Sequence, residues 1–456
     1  MLVNRLERGR YLDSVALMRV SRRLEALPGV EAAALMIGSP SNKALLRDAG
    51  LLAPEGEQAT PNDLVIAVRG ANARDGVEEA LQLLLATTEP KSETVPHARS
   101  LAGALELLPQ ANLALVSVPG EFAAYEARKA LERGLHVLVF SDNVPLEEEA
   151  ALKRLAAERG LLLMGPDCGS ALVAGTPIAF ANAVPRGDIG IVSASGTGLQ
   201  EVSSLVARMG GGISHGIGVG GRDLDARIGA LGTLAAIDAL DNDPATSKIV
   251  LISKPPAPEV AKRVLERLKK SAKPAIVCFL GIDGPGMAPT LRDAAELAMG
   301  RKIEPLALPA TKPLKGKTVR GLYCGGTLCA EAELVFRRKG LSGHAFIDLG
   351  ADEYTRARPH PMIEPEIRND HVARAMADAA VGVVLVDVVL GYGAHADPAG
   401  VLAKALKPGK AVVASVTGTE QDPQVRSRQV AALREAGVLV AASNADAAEL
   451  AASLVA

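Results

Sequence analysis

Along most of this 456-residue chain, short continuous apolar runs alternate with stretches whose apolar positions recur every three or four residues. The runs read as strands buried on both faces, and the periodic stretches as helices packed against them. In the first part, Leu17, Val20 and Leu24 mark a helix, 30–37 a strand, and 64–68 another strand before a helix over 77–84. Ser41 and Asn42 are placed to cap a helix running through Leu46. Asn42 and Lys43 follow the Gly38-Ser39-Pro40 turn and read as capping and solvated residues.

With a weak first strand at 3–6, that order predicts a ferredoxin-like α+β module over 1–95. Turn formers and charge over 91–110 mark the boundary. Apolar runs at 113–118, 135–140 and 161–164 then end in Pro119-Gly120, Ser141-Asp142-Asn143 and Gly165-Pro166-Asp167-Cys168-Gly169. Alternation with helical patterns predicts a parallel, doubly wound, Rossmann-like domain over 96–187, of the type that binds coenzyme A. Such a domain ordinarily opens on a strand and a glycine-rich phosphate loop. Before Leu113 there is only Arg99-Ser100-Leu101-Ala102-Gly103-Ala104-Leu105, with one glycine and no strand ahead of it.

The next segment organises the rest. Gly190-Ile191-Val192-Ser193-Ala194-Ser195-Gly196-Thr197-Gly198-Leu199-Gln200-Glu201 reads as strand, tight turn and helix. Gly321-Leu322-Tyr323-Cys324-Gly325-Gly326-Thr327-Leu328-Cys329-Ala330-Glu331 repeats it, each copy carrying a Glu four residues after the Thr. A Gly-Asp pattern follows each, at 220–223 and 348–352, and then two further strands. The repeat predicts two flavodoxin-like domains, 188–300 and 318–456, joined by a proline- and lysine-rich linker at 301–317. Amides in the first turn of a helix lack intrahelical partners and the dipole favours negative charge there. Ser193, Ser195, Gly196 and Thr197 in one copy, and Gly325, Gly326 and Thr327 in the other, are therefore the candidate anion-binding residues.

Composition narrows the class. Net charge is -2 and aromatic residues make up only 2% of the chain, which implies neither nucleic acid nor a membrane surface as partner. The N-terminus has no apolar signal region and no apolar run approaches the roughly 18 residues of a membrane span, so a cytoplasmic protein is expected. Four cysteines at 168, 278, 324 and 329 fit reduced thiols, and Cys324 with Cys329 lacks the companions of a metal site. No metal is expected.

The sequence resembles the FdrA family, on stretches spread over nearly the whole chain. Among them are Phe140-Ser141-Asp142-Asn143-Val144, Met164-Gly165-Pro166-Asp167-Cys168-Gly169, Ser193 to Val202, Gly220-Gly221-Arg222-Asp223-Leu224, Ser253-Lys254-Pro255-Pro256, Pro359-His360-Pro361-Met362-Ile363 and Gly418-Thr419-Glu420-Gln421-Asp422-Pro423-Gln424. Over about 111–290 it resembles, more loosely, the succinyl-CoA synthetase α subunit. That resemblance implies that Ser195–Thr197 and Gly325–Thr327 are two facing helix ends, here fused in one chain. It also implies a phosphate-carrying histidine after the strand at 275–280, where this sequence reads Gly281-Ile282-Asp283-Gly284-Pro285-Gly286-Met287. Where a glutamate orients that histidine, the chain has Ser253-Lys254-Pro255, and it holds no ATP-grasp domain.

The family resemblance implies a subunit of an oxamate carbamoyltransferase in ureide (allantoin) catabolism, interconverting carbamoyl phosphate plus oxamate with oxalurate plus phosphate. Ser195, Thr197 and Thr327 would then hold the phosphate, Arg222 and Lys254 the carboxylate or carbonyl oxygen, with Arg356 and Arg358 adding positive charge. His360 or His395 would shuttle a proton. No cofactor is expected, carbamoyl phosphate being substrate, with coenzyme A and ATP belonging to the alternative below. Other subunits of a hetero-oligomeric transferase are the expected partners. Two alternatives stand beside this: a succinyl-CoA-synthetase-like acyl-CoA ligase, and a non-catalytic scaffold subunit that binds an anion.

Overall fold

The computed structural model describes residues 1–456 except 11, 13, 87–97, 305–315, 356–358 and 456. Two compact units emerge, Met1–His97 with Thr355–Pro359, and Ala98–Tyr354 with His360–Ala456.

In the first unit, β1 (Leu2–Glu7), β2 (Val30–Ile37) and β3 (Leu64–Gly70) form a sheet of order β1-β3-β2, with β3 antiparallel to both neighbours. Helices Ser14–Glu25 and Ala73–Ala86 pack through Leu17, Leu24 and Leu84 against Leu64, Ile66 and Val68. This is the expected ferredoxin-like arrangement, and the weak first strand is a full edge strand. Helix Ala73–Ala86 starts four residues earlier than expected, and the helix expected to be capped by Ser41 and Asn42 has its cap two residues before Ser41. Helix Pro40–Asp48 is capped by Ser39, whose side chain accepts from the Asn42 amide, because Pro40 at the first helical position needs no donor partner. Asn42 and Lys43 are spent inside the unit, on the carbonyls of Ile37, Glu57 and Ala59.

Among its described residues the second unit contains three sheets. β4 (Leu113–Val116), β5 (His136–Val139) and β6 (Leu163–Met164) are parallel, in order β4-β5-β6. The next strands are β7 (Ser170–Val173), β8 (Thr176–Ala179), β9 (Arg186–Ser193), β10 (Ile213–Gly218), β11 (Lys248–Ser253) and β12 (Ala275–Phe279). They form one sheet of order β12-β11-β9-β10-β7-β8. The β7–β8 hairpin thus joins this sheet, antiparallel to β10, rather than the Rossmann-like one that precedes it.

The last sheet is β14-β13-β15-β16-β17, all parallel, built from β13 (Thr318–Tyr323), β14 (Ala345–Asp348), β15 (Val381–Val389), β16 (Ala411–Thr417) and β17 (Leu439–Val440). All nine residues of β15 are buried, as a central parallel strand covered on both faces requires. Numbered within each domain, the parallel strands run 2-1-3-4 in one sheet and 2-1-3-4-5 in the other, the flavodoxin-like order. In both, the helix that follows the first strand leaves at the switch point between strands 1 and 3, where such sheets place ligands. One apolar cluster runs through both domains, from Leu199, Val202 and Leu205 to Leu328, Ala332 and Phe336.

Candidate functional site

β9 delivers the chain into a turn that closes on itself. The Ser193 hydroxyl donates to the Ser195 carbonyl at 2.7 Å and accepts from the Ser195 amide at 3.1 Å, so Ser193 shapes the loop. Ser195 caps helix Gly196–Arg208, with extended backbone and its Oγ accepting from the Gly198 amide at 2.9 Å. The second copy solves the same problem differently. Gly325, at the cap of helix Gly326–Arg338, has no side chain to offer. The carboxylate of Asp387, from β15, accepts instead from the amides of Cys324 at 2.7 Å and Gly325 at 2.8 Å. Arg368, itself buried, pairs with Asp387 at 3.2 Å.

The two helix starts meet. Ser195 Oγ donates to Thr327 Oγ1 at 2.6 Å. A Cβ placed on Gly325 would meet Thr197 at 2.9 to 3.0 Å, so the loops touch backbone to side chain. A Cβ on Gly326 would run into an Asp348 carboxylate oxygen and come within 3.6 Å of Lys254 Nζ. Asp348, at the end of β14, therefore lies against the start of the second helix, with the Lys254 ammonium beside it at the end of β11. Burial pushes the Asp348 carboxyl above its ordinary value, opposed by the Gly350 amide and by Lys254. A carboxyl so placed can take up or release a proton nearer neutrality.

His360 adjoins the same corner, since a Cβ on Gly350 would meet His360 Nε2, the Cys324 carbonyl and an Asp348 oxygen together. Burial pulls its imidazole down to about 4. Its Nδ1 accepts from the Met362 amide at 3.2 Å, which assigns the proton of the neutral ring to Nε2. His395 stands on the other side of Met362, donating its amide to the Met362 carbonyl and accepting at Nδ1 from the Asp397 amide.

The expected residues thus divide. Ser195, Gly196, Thr197, Gly325, Gly326, Thr327 and Lys254 come together, with His360 alongside. Arg222 is engaged elsewhere, paired with the buried Glu149 at 2.7 Å and donating to the Val144 carbonyl at 2.8 Å. The neighbouring Asp223 takes Lys153 and the amides of Gly232 and Thr233, so this Arg-Asp pair anchors the helix over 146–158 to the loop rather than facing the helix ends. Arg356 and Arg358 lie outside the described residues.

Asp387 escapes the sequence reading, and Asp348 enters it only as part of the pattern at 348–352 and not as a site residue. Their signal was an acid within otherwise apolar strands, Ala345–Asp348 and Val381–Val389, where a buried charge demands a partner. The Glu four residues after each Thr proves reciprocal. Glu201, from the first domain, accepts at Oε1 from the Asn444 amide at 2.9 Å, at the start of helix Asn444–Val455 of the second. Glu331, from the second, accepts from the Leu291 amide at 2.6 Å, at the start of helix Leu291–Met299 of the first. Asn444 Nδ2 also donates to Glu331 Oε2 at 2.8 Å. Among the described residues no group of His, Cys, Asp and Glu is arranged to hold a metal, and no helix is long and apolar enough to cross a membrane.

Comparison with known proteins fits this architecture. Residues 322–454 match the family described as CoA-ligase, and residues 1–100 match "AllF, heavy metal-associated domain". That segment contains no cysteine and a single histidine, His97. The chain is 42% identical to the uncharacterized protein YahF of Escherichia coli K12, over 95% of each chain. It is 27% identical to a succinate–CoA ligase (ADP-forming) α subunit of Archaeoglobus fulgidus over 38% of its own length, which spans 61% of that protein. Among solved structures, the apo dinucleotide-forming acetyl-coenzyme A synthetase 1 of Ca. Korarchaeum cryptofilum aligns with 79% of this chain and 87% of its own, at 18% identity and a TM-score of 0.32.

Proposed function

The chain belongs to the FdrA family, and from that premise we propose that it is a subunit of a group-transfer enzyme bringing an acyl phosphate to a small carboxylate at the paired helix ends. The observation that carries this reading is the contact of Ser195 Oγ with Thr327 Oγ1 at 2.6 Å. It brings two helix starts, and the positive ends of two dipoles, to one place.

The finer reading is an oxamate carbamoyltransferase-type subunit in ureide (allantoin) catabolism, working with other subunits and without a bound cofactor. The match of residues 1–100 to an AllF domain supports the pathway. In the transfer, the amide nitrogen of oxamate attacks the carbamoyl carbon, the carbon–oxygen bond to phosphate breaks, and phosphate leaves with the electron pair. The hydroxyls of Thr197 and Thr327 and the free first-turn amides hold the phosphate oxygens, while Ser195, by donating to Thr327, leaves the Thr327 proton to point at the phosphate. Lys254 offsets the charge that grows on the leaving group. Asp348, with its raised proton affinity, accepts the proton lost by the attacking nitrogen. His360, held neutral, offers an N–H donor rather than a proton shuttle. Arg222 has no part in this step.

A second reading, an acid–thiol ligase of the succinate–CoA type, is favoured by the CoA-ligase match over 322–454. Against it, the loop at 281–287 contains no histidine to carry phosphate, and no glycine-rich loop opens the domain that would hold coenzyme A. The test runs both assays on the chain with its candidate partner subunits. Phosphate release from carbamoyl phosphate that requires oxamate and is lost in Lys254→Ala supports transfer. Thioester formation from ATP, coenzyme A and succinate, without oxamate-dependent phosphate release, replaces it with the ligase. Turnover that needs only residues of the partner reduces the chain to an anion-binding scaffold.

A further inference from the structure

A cavity of about 730 Å³ lies at the opposite end of helix Gly196–Arg208 from Ser195. At about 1.5 Å per residue, this helix separates the two places by roughly 20 Å. Arg208, Arg301, Lys302 and Arg426 line the cavity, with Glu304 and Glu420 as the acids. Lys302 is paired with Glu296, and Glu420 with Ser427. The three guanidiniums have no carboxylate within 4.0 Å among the described residues. Arg208 donates to the Ala442 carbonyl at 2.7 Å, and Arg426 donates through Nε to the Val416 carbonyl at 3.0 Å.

Arg426 is the telling member. Its residue is 8% exposed, and its Nη2 has no hydrogen-bond partner. It is the first residue of helix Arg426–Glu435, where the dipole disfavours a cation. Val425 before it is held at φ 55°, a left-handed conformation costly for a β-branched residue. Burial first and then repulsion from Arg208 lower its proton affinity to about 10, opposed only in part by the more distant Glu201 and Glu420. Burying a cation with no carboxylate in contact and one nitrogen unbonded, at a helix start and on a strained backbone, destabilises the fold. A ligand that supplies the missing negative charge offsets all of it.

We propose that this cavity binds a small, multiply charged phosphate compound, a phosphoanhydride or phosphate ester, held by Arg208, Arg301 and Arg426. Guanidinium forks match phosphate oxygens in pairs, and a pocket of this size takes more than a bare ion.

The test is calorimetric titration of the full chain with pyrophosphate. Binding is expected to weaken about tenfold or more in Arg301→Glu and in Arg426→Gln. Arg301 is exposed, so its variant keeps the test valid should Arg426→Gln fail to fold. Absence of binding to the wild-type chain up to about 5 mM overturns the proposal. So does binding that survives Arg301→Glu and is lost in Lys254→Ala, which would put the anion at the paired helix starts.

Discussion

The Ser195 hydroxyl donates to the Thr327 hydroxyl at 2.6 Å while accepting from the Gly198 amide, so one side chain both caps its own helix and joins it to the helix of the other domain. Thr327→Val keeps the shape and removes the acceptor. It is expected to cost about 1 kcal/mol in urea unfolding and to weaken inhibition by inorganic phosphate in the transfer assay. Gly325→Ala puts a methyl 2.9 to 3.0 Å from Thr197 and costs about 1–3 kcal/mol by overpacking. Unchanged stability and unchanged phosphate inhibition in both variants would mean that the contact organises neither fold nor site.

Lys254 and Arg222 were indistinguishable in the sequence, each a lone cation near a strand end, and they are expected to behave oppositely. Lys254 is exposed and pairs with no carboxylate among the described residues, so Lys254→Ala leaves the melting temperature nearly unchanged. The same change lowers kcat/KM by about 10²-fold if it stabilises developing charge. Arg222→Ala strips one partner from the buried Glu149. Because Lys153 stays at 3.5 Å and Arg222 is half-exposed, the cost is about 1–2 kcal/mol rather than that of a fully buried pair, with turnover per folded molecule retained. Equal losses of activity in the two would refute the division.

What the sequence disclosed was local. Both loop–helix copies, the glutamate after each threonine and the existence of two similar α/β domains follow from spacing and small-residue turns. What it withheld was partnership across the chain. Nothing near Glu201 names Asn444 as its partner, and nothing near Arg222 names Glu149. The hairpin at 170–179 falls within the expected Rossmann-like domain over 96–187, and periodicity alone does not say which sheet receives two such short strands. Asp387 was hidden in a valine-rich run, where the apolar reading of the strand was right and one acid was overlooked.

Glu331 makes stability depend on pH. Burial pushes its carboxyl from the ordinary 4.5 up to about 7, so the folded chain holds this proton where the unfolded chain has released it. The stabilising contribution is complete below pH 4.5 and is lost as the pH rises through 7. A gap of this size corresponds to at most about 3 kcal/mol. Glu331→Gln has no charge to bury, so its urea midpoint is expected to fall less than that of the wild type between pH 5 and pH 8. Parallel pH profiles for the two proteins would show that the carboxylate is already ionised in the fold.

Asp387 tests the assumption that the second helix start is held by a carboxylate instead of a cap of its own. Its two oxygens serve the Cys324 and Gly325 amides and the guanidinium of Arg368. Asp387→Ala leaves both amides without an acceptor and a buried cation without its counter-charge, a loss of about 3–5 kcal/mol. Asp387→Asn keeps one acceptor oxygen and should lose less. The ranking wild type, Asn, Ala in denaturant midpoints is the expected result, and hydrogen exchange at Gly325 should accelerate in the same order. An alanine variant as stable as wild type would mean that the loop closes without Asp387, leaving Gly325 to be positioned by its contact with Thr197 alone.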